Sequence, residues 1–327
     1  MMHRRAFLAA SAATGMVLLS SACAHQRRLR DPAPSVGAPS GTYTDDTWTD
    51  ISRSRQIPVR VRVPTNPGPW PVILFSHGLG GNREGGALWG EAWTAAGFMV
   101  IHLQHAGSDT DAVRGGLGDA LAASQLAARV LDVQFVLAEL ARRTKLPDSV
   151  FANANLNAIG LSGHSFGART ALTLAGQTLG AQPPLQEPRI RAFLALSPAG
   201  GGNSPDAFAK LRSPILFVTG TNDGDVVGNG ETPQSRLRPF ESAPGPGKYL
   251  LVLDGADHMT FAGQSNLPRM LERRRPDVSK ALEARHQSLV QTLTTTYWRA
   301  MLKGEEQARA MLTNPASVKA PDVWKTK

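Results

Sequence analysis

The sequence predicts an α/β fold in which helices cover both faces of a mostly parallel central sheet. Two patterns predict it: short apolar runs typical of buried strands, and intervening segments with apolar residues spaced by three and four. Strands and helices that alternate in this way favour a parallel sheet. With 327 residues, of which 42% are hydrophobic and 19% charged, the chain is long enough to form one such domain.

An antiparallel hairpin is predicted to open the domain. Its strands lie at 47–51 and 58–63, since Val59, Val61 and Val63 alternate with arginines in the second segment. The buried strands are predicted at 72–75, 98–101, 156–161, 193–196, 215–218 and 249–253. The helices are predicted at 120–146, from Ser165 onward, and at 278–303.

The segments outside the folded domain have different compositions. Arg4 and Arg5 precede an apolar, alanine-rich run, which predicts an export signal of the twin-arginine type at 1–24. Residues 25–42 are rich in proline, serine and glycine and are predicted to be a flexible linker. The folded domain is then expected at 43–312 and a C-terminal tail at 313–327.

Cys23 is the single cysteine, and two outcomes of export follow from its position. Cleavage after Ala24 would release a periplasmic or secreted protein, whereas lipidation of Cys23 would give a membrane-anchored lipoprotein. Because no other cysteine exists, the domain has no intrachain disulfide, no cysteine nucleophile and no cysteine-based zinc site.

The net charge of +9 has two interpretations. The favoured one is a solvated basic helix face, such as Arg273–Arg275, and the other is attraction to anionic surfaces. No nucleic-acid-binding motif accompanies the charge, so nucleic acid is not an expected partner.

Ser165 is the first candidate for chemistry. It lies in Gly163-His164-Ser165-Phe166-Gly167, between a predicted strand and a predicted helix. G-x-S-x-G in that context is a nucleophile elbow, a strained turn that exposes the serine hydroxyl above the sheet. The alternative is a helix-capping serine in a glycine-rich turn.

A serine nucleophile needs a base, and the base needs a carboxylate. His258 follows the last predicted strand and is the expected base. Asp223 follows the strand before it and is the expected carboxylate, with Asp225 as its competitor. A calcium loop around the two aspartates is a further alternative, although it lacks the remaining ligands.

The residues expected to surround these groups come from neighbouring loops. The backbone N–H groups of Leu79, in the loop after the third strand, and of Phe166 are the predicted oxyanion donors. Met259 and Phe261 are predicted to line the acyl pocket, and His102 and His105 to shape its rim. Trp89 and the glycine-rich stretch 114–118 are predicted to form a rim or lid.

Three motifs together resemble a known group of esterases. They are His77-Gly78-Leu79-Gly80-Gly81, the elbow around Ser165, and the opening segment 50–61. They resemble the dienelactone-hydrolase-like proteins of the α/β-hydrolase superfamily. They are also similar to platelet-activating-factor acetylhydrolases and, more distantly, to cutinase-like polyesterases. Two departures are clear: true dienelactone hydrolases use a cysteine nucleophile, and in the eukaryotic acetylhydrolases the acid stands where this chain has Ser197.

The resemblance implies the α/β-hydrolase fold and hydrolysis of carboxylic esters without a cofactor, with Ser165, Asp223 and His258 as triad. The expected partners are small-molecule, lipid or polymer esters, and the chain is expected to be a monomer. Two alternatives remain: an amidase or peptidase on the same scaffold, and a non-catalytic binding protein.

Overall fold

The computed structural model describes residues 42–114, 117–120, 122–180, 185–202, 204, 206–264 and 269–327. The predicted export signal, Cys23 and all of the predicted linker except residue 42 lie outside these residues. So do residues 115 and 116, in the middle of the predicted lid. Among the described residues, no helix combines the length and the apolar character needed to cross a membrane.

A nine-stranded, mostly parallel sheet forms the centre of the described part of the chain, with the strand order β1-β2-β4-β3-β5-β6-β7-β8-β9. The pairs between β3 and β8 are all parallel, and β1, β2 and β9 join the sheet in antiparallel pairs. The strands are β1 Tyr43–Asp50, β2 Arg55–Arg62, β3 Trp70–Ser76, β4 Met99–Leu103, β5 Ala154–His164, β6 Ile190–Leu196, β7 Ile215–Asn222, β8 Lys248–Asp257 and β9 Val323–Thr326.

Helices pack on both faces of the sheet, as the sequence predicts. The described α-helices are α1 Ala87–Ala95, α2 Thr110–Arg114, α3 Leu117–Ala120, α4 Ala123–Arg143, α5 Phe166–Leu174, α6 Arg238–Ser242, α7 Arg269–Arg274, α8 Asp277–Ala281, α9 Glu283–Leu302 and α10 Glu306–Thr313.

Two hydrophobic cores follow from the alternation of side chains along the strands. In β3, Val72 and Leu74 face the core formed with α4 and α5, whereas Ile73 and Phe75 face the core formed with α1 and α9. Both faces of the central strands are therefore buried, which explains why these strands are continuous apolar runs in the sequence.

The structure differs from the predictions in two places near the C-terminus. The helix predicted at 278–303 is interrupted at Leu282, where α8 ends and α9 begins one residue later. The predicted tail contains β9, which pairs with β8 and is anchored by Trp324, whose indole N–H donates to the carbonyl of Leu312. A four-residue strand is too short for its alternation to stand out in the sequence.

Candidate active site

The carboxyl ends of four parallel strands bring the candidate residues to one edge of the sheet. Ser165 follows β5, Ser197 follows β6, Asp223 follows β7, and His258 follows β8. In α/β sheets this edge is where ligands bind. Residues separated by more than ninety positions in the chain therefore meet here.

Ser165 has the strained backbone of a tight turn between β5 and α5. Its φ and ψ are 54° and −113°, in a region that residues with a side chain seldom occupy. The turn closes because Gly163 and Gly167 have no side chains: a Cβ on Gly163 would overlap the carbonyl of Gly167, and one on Gly167 would overlap the carbonyl of Ser76. The elbow predicted around Ser165 has the backbone form that its motif requires.

His258 is held by a capping box in the turn that follows β8. The Asp257 carboxylate accepts hydrogen bonds from the backbone N–H and the hydroxyl of Thr260, each over 2.8 Å. Beneath it, the imidazole Nε2 of His164 lies 3.0 Å from the backbone oxygen of His258. Burial is the main cause that lowers the pKa of His164 to about 3, so this ring is a neutral support for the turn.

Asp223 is fully buried beside His258. Its Oδ1 lies 2.9 Å from His258 Nδ1, and the Thr219 hydroxyl donates to its Oδ2 over 2.8 Å. Burial alone would raise the pKa of Asp223, but the hydrogen bond and charge of His258 and the charge of Arg236 outweigh it and hold that pKa below the ordinary value. Asp223 is therefore a carboxylate at neutral pH and can orient the imidazole.

Asp225, the competing carboxylate, has a different role. It is exposed and accepts hydrogen bonds from the backbone N–H groups of Val227, Gly228 and Gly230, which shape the loop after β7. The structure thus separates the two aspartates: Asp223 contacts His258, and Asp225 organises a loop. Within the described ranges, no cluster of three or more His, Cys, Asp or Glu side chains could hold a metal ion.

Ser197 is a site residue that sequence reasoning did not assign. Its hydroxyl lies 2.8 Å from Asp223 Oδ1 and 2.7 Å from His258 Nδ1, and the residue is fully buried with a φ of 52°. The geometry fits a hydroxyl that donates to the carboxylate and accepts from the imidazole N–H. Its position directly after a strand of the parallel sheet was the signal that could have identified it.

Arg236 was also missed. Its Nε donates to the backbone oxygen of Asp223 over 2.8 Å and forms an ion pair with Asp223 Oδ1 at 2.9 Å. The same guanidinium donates to the carbonyls of Ser197, Pro198 and Gly224. This buried arginine therefore ties the loop after β6 to the loop after β7, beneath the carboxylate.

A small cleft of about 60 Å³ opens beside Ser165. Ser165, His258, Leu79 and Phe166, all predicted site residues, line it. The other lining residues were not predicted to do so; they are Arg169, Ser197, Ala199, Val226, Val227, Asn229 and Arg236. Most of these come from the loops after β6 and β7.

None of the three side chains predicted to line or rim the pocket, Trp89, Met259 and Phe261, lines the cleft at Ser165. Trp89 and Phe261 are fully buried in the core beneath α1 and α9, and the Trp89 indole N–H donates to the backbone oxygen of Phe261 over 3.1 Å. Met259 is half-buried but does not line the cleft at Ser165. His258 begins a 3-10 turn, and that turn directs Phe261 into the core instead of the cleft.

The predicted oxyanion donors have free N–H groups. None of the described residues accepts a hydrogen bond from the Leu79 N–H, and Phe166 is the first residue of α5, where a backbone N–H has no partner within the helix. Both residues border the cleft.

No hydrogen bond joins the Ser165 hydroxyl to His258, although both are among the described residues. The Nδ1 side of the imidazole is engaged by Asp223 and Ser197, which leaves Nε2 for the cleft. Contacts between a nucleophile and its base are often long before a substrate binds.

A second Ser–His–Asp set lies in the protein interior. His105 Nε2 is 2.9 Å from the Ser76 hydroxyl, and His105 Nδ1 is 3.0 Å from Asp132 Oδ2. All three side chains are fully buried, and none lines the cleft. The prediction that His105 shapes the pocket rim is therefore wrong, and the same holds for His102, which is buried with its Nδ1 2.9 Å from the Gly85 carbonyl oxygen.

Comparison of the chain with protein-family models gives no match. Comparison with curated proteins gives no significant match either.

Proposed function

We propose that the chain is a serine esterase of the α/β-hydrolase fold, with Ser165 as nucleophile, His258 as general base and acid, and Asp223 as the carboxylate that orients His258. One observation carries the proposal: a serine in a strained strand-to-helix turn lines the same cleft as a histidine whose Nδ1 is held by a buried carboxylate. The order Ser, Asp, His along the chain and the turn between β5 and α5 support the assignment of the fold.

The first half-reaction would acylate the serine. Ser165 Oγ attacks the ester carbonyl carbon while its proton passes to His258 Nε2, and the carbonyl oxygen becomes an oxyanion facing the N–H groups of Leu79 and Phe166. The tetrahedral intermediate then collapses. The bond to the alcohol oxygen breaks, and the alcohol leaves with the proton from His258.

Water completes the cycle by the same route. His258 removes a proton from water, the hydroxide adds to the acyl carbon, and the bond to Ser165 Oγ breaks as the serine regains its proton. The products are the free acid and the regenerated enzyme. Asp223 stabilises the imidazolium in both halves and is not protonated itself.

Short acyl groups are the expected substrates. The cleft of about 60 Å³ is far smaller than the several hundred Å³ common for pockets that enclose drug-sized ligands. Its walls combine apolar side chains, including Leu79, Val226 and Val227, with the polar Arg169 and Asn229. This composition suits a small ester that leaves its alcohol part towards solvent.

The test is hydrolysis of p-nitrophenyl esters from acetate to long-chain acyl groups, with Ser165→Ala as the comparison. A phosphonate probe followed by peptide mass spectrometry should label Ser165 alone, with Ser76 as the internal control. Ester turnover that survives Ser165→Ala, or labelling at another serine, would refute the proposal. Parallel p-nitroanilides would show whether amides are cleaved instead.

A further inference from the structure

A buried arginine on α4 contacts the loop that carries one predicted oxyanion donor, Leu79, and the side chain of the residue that carries the other, Phe166. Arg129 is fully buried, and its Nη1 donates to the backbone oxygen of His77 over 2.7 Å. Its Nη2 lies 3.4 Å from the backbone oxygen of Gly78. On the other side, the guanidinium carbon lies 4.3 Å from the centre of the Phe166 ring, a cation–π contact.

The Gly78 carbonyl determines where the Leu79 N–H points, because both belong to one peptide unit. In a trans peptide the carbonyl and the N–H point in opposite directions. The Gly78 oxygen lies 2.6 Å from His77 Nδ1, and it also accepts from the Gly81 N–H over 3.1 Å. When the carbonyl oxygen is held in one direction, the N–H of the same peptide points in the opposite direction.

The proton on His77 is fixed by its second nitrogen. The backbone N–H of His105 donates to His77 Nε2 over 3.0 Å, so Nε2 carries no hydrogen and Nδ1 carries the one that reaches the Gly78 oxygen. Arg129 keeps the ring neutral, because a neighbouring cation disfavours a second proton on it. Burial, followed by the charge of Arg129, holds the pKa of His77 well below its ordinary value.

Arg129 differs from the other arginines around this cluster. Arg53 and Arg55 are paired with the Asp132 carboxylate at 2.9 and 2.6 Å. The described partners of Arg129 are instead carbonyls, hydroxyls such as that of Ser108 at 2.8 Å, and the imidazole of His77, whose Nδ1 lies 3.4 Å from Nη2. A buried cation is costly unless its donors are satisfied, and here the Ser108 hydroxyl and the carbonyls of His77 and Gly78 accept from them.

We propose that Arg129 is a positioning residue for the oxyanion hole. Its guanidinium holds the Gly78–Leu79 peptide through the carbonyls of His77 and Gly78, and it packs against the ring of Phe166, so that one side chain maintains both N–H donors. Arg129 has no contact with the cleft itself. The inference rests on the proposed esterase activity and deepens it.

The test compares Arg129→Met and Arg129→Lys with Val133→Ala, a buried core variant on the same helix that lies outside the polar network. Methionine keeps the apolar stem and removes the donors, whereas lysine keeps the charge and loses the planar fork. Each protein is assayed with p-nitrophenyl acetate and with the thionoester analogue. Sulfur accepts hydrogen bonds more weakly than oxygen, so the ratio of the two rates reports on the oxyanion donors.

Arg129→Met should lower kcat roughly 10²-fold with KM within about twofold, and it should lower the ester-to-thionoester rate ratio about tenfold. Arg129→Lys should lie between wild type and Arg129→Met. Val133→Ala should keep the wild-type ratio even where it lowers stability. The inference would be overturned if Arg129→Lys and Arg129→Met both kept the wild-type rate ratio. It would also be overturned if Arg129→Met failed to fold and Arg129→Lys kept the wild-type rate ratio.

Failure of the proposed function has a different outcome. Wild-type protein that hydrolyses neither ester, or a Ser165→Ala variant that retains hydrolysis, would remove the esterase assignment and this inference with it. An active wild type whose rate ratio does not respond to Arg129 would remove the inference alone.

Discussion

The protein contains two Ser–His–Asp sets, and the one with the more complete hydrogen bonds is not the candidate active site. In the inner set, Ser76, His105 and Asp132 are joined by contacts of 2.9 and 3.0 Å. In the outer set, Asp223 contacts His258 at 2.9 Å, but Ser165 makes no hydrogen bond to the imidazole. Contact distances alone would favour the inner set.

The two sets differ in the access of substrate to the serine and in the backbone conformation of that serine. Ser76 is the last residue of β3 and is fully buried, whereas Ser165 lines a cleft in a strained turn beside two free N–H groups. Burial is also the main cause that lowers the pKa of His105 to about 4, so the inner imidazole stays neutral. A hydrolytic site needs a path to substrate and donors for the oxyanion as well as the three side chains.

The largest expected contrast is between the two serines. Ser165→Ala should lower kcat/KM by about 10⁵-fold, since no nucleophile remains. Ser76→Ala should leave kcat/KM within about tenfold and lower the free energy of unfolding by about 1 to 2 kcal/mol, because it removes a buried hydrogen bond to His105. Ester assays and urea unfolding of both variants measure these effects. Equal losses of activity in the two variants would contradict the assignment of Ser165, and not Ser76, to the active site.

The two aspartates should show the same contrast: the outer one affects activity and the inner one affects stability. Asp223→Asn should lower kcat about 10⁴-fold, because an amide cannot stabilise the imidazolium or select its tautomer. Asp132→Asn should lower the free energy of unfolding by about 3 kcal/mol, since it leaves Arg55 without its carboxylate and Arg53 with Asp50 alone.

Turnover of p-nitrophenyl acetate and urea midpoints measure the two effects of these aspartate variants. A stable but inactive Asp132→Asn protein would mean that the inner set takes part in chemistry.

Ser197 is a further difference between the two sets, because no described residue places a hydroxyl between His105 and Asp132 of the inner set. Ser197→Ala should lower kcat about tenfold with little change in KM, as His258 Nδ1 keeps Asp223 and loses one partner. Ser197→Thr, which retains the hydroxyl, should recover most of the rate. Wild-type kcat in Ser197→Ala would show that the hydroxyl contributes to packing and not to catalysis.

The buried histidines should make the stability of the protein depend on pH. The pKa values of His102 and His105 are lowered to about 3 and about 4, mainly by burial. Below pH 6.5 the unfolded chain binds protons that the folded protein does not, so the free energy of unfolding falls as the pH falls towards 4. Each histidine contributes at most about 1.4 kcal/mol per pH unit.

His102→Asn tests this pH dependence. The asparagine amide can still donate to the Gly85 oxygen but does not titrate in this range. Urea unfolding between pH 7.5 and 4.5 should show a shallower slope than in the wild type, and an unchanged slope would contradict the assignment to His102.

The strands and the candidate triad could be predicted from the sequence because each depends on local pattern. Apolar runs predict the buried strands, and Ser165, Asp223 and His258 each follow one of them. The sequence already favours Asp223 over Asp225, but both lie after β7, and the loop geometry shows how their contacts differ.

The pocket could not be predicted in the same way. Trp89 and Phe261 are near site residues in the chain or the fold, yet their rings are in the core. Ala199, Val226 and Asn229 line the cleft because two loops from neighbouring strands meet there, and that meeting depends on Arg236 beneath them. The role of Arg129 could not be predicted for a related reason. In the sequence it resembles any surface arginine of a helix, and only its contacts in the fold distinguish it.

The pairing of β9 with β8 has a consequence for how the protein is made. β8, which leads to His258, has β7 on one side and β9 on the other, and β9 is synthesised after α8, α9 and α10. A nascent chain therefore carries β8 with an open edge, which is a template for pairing with other chains, until the ribosome has translated Val323–Thr326. A stop codon just before Val323 would leave Ser165, Asp223 and His258 in the polypeptide, and would still release a chain prone to aggregate through the strand that leads to His258.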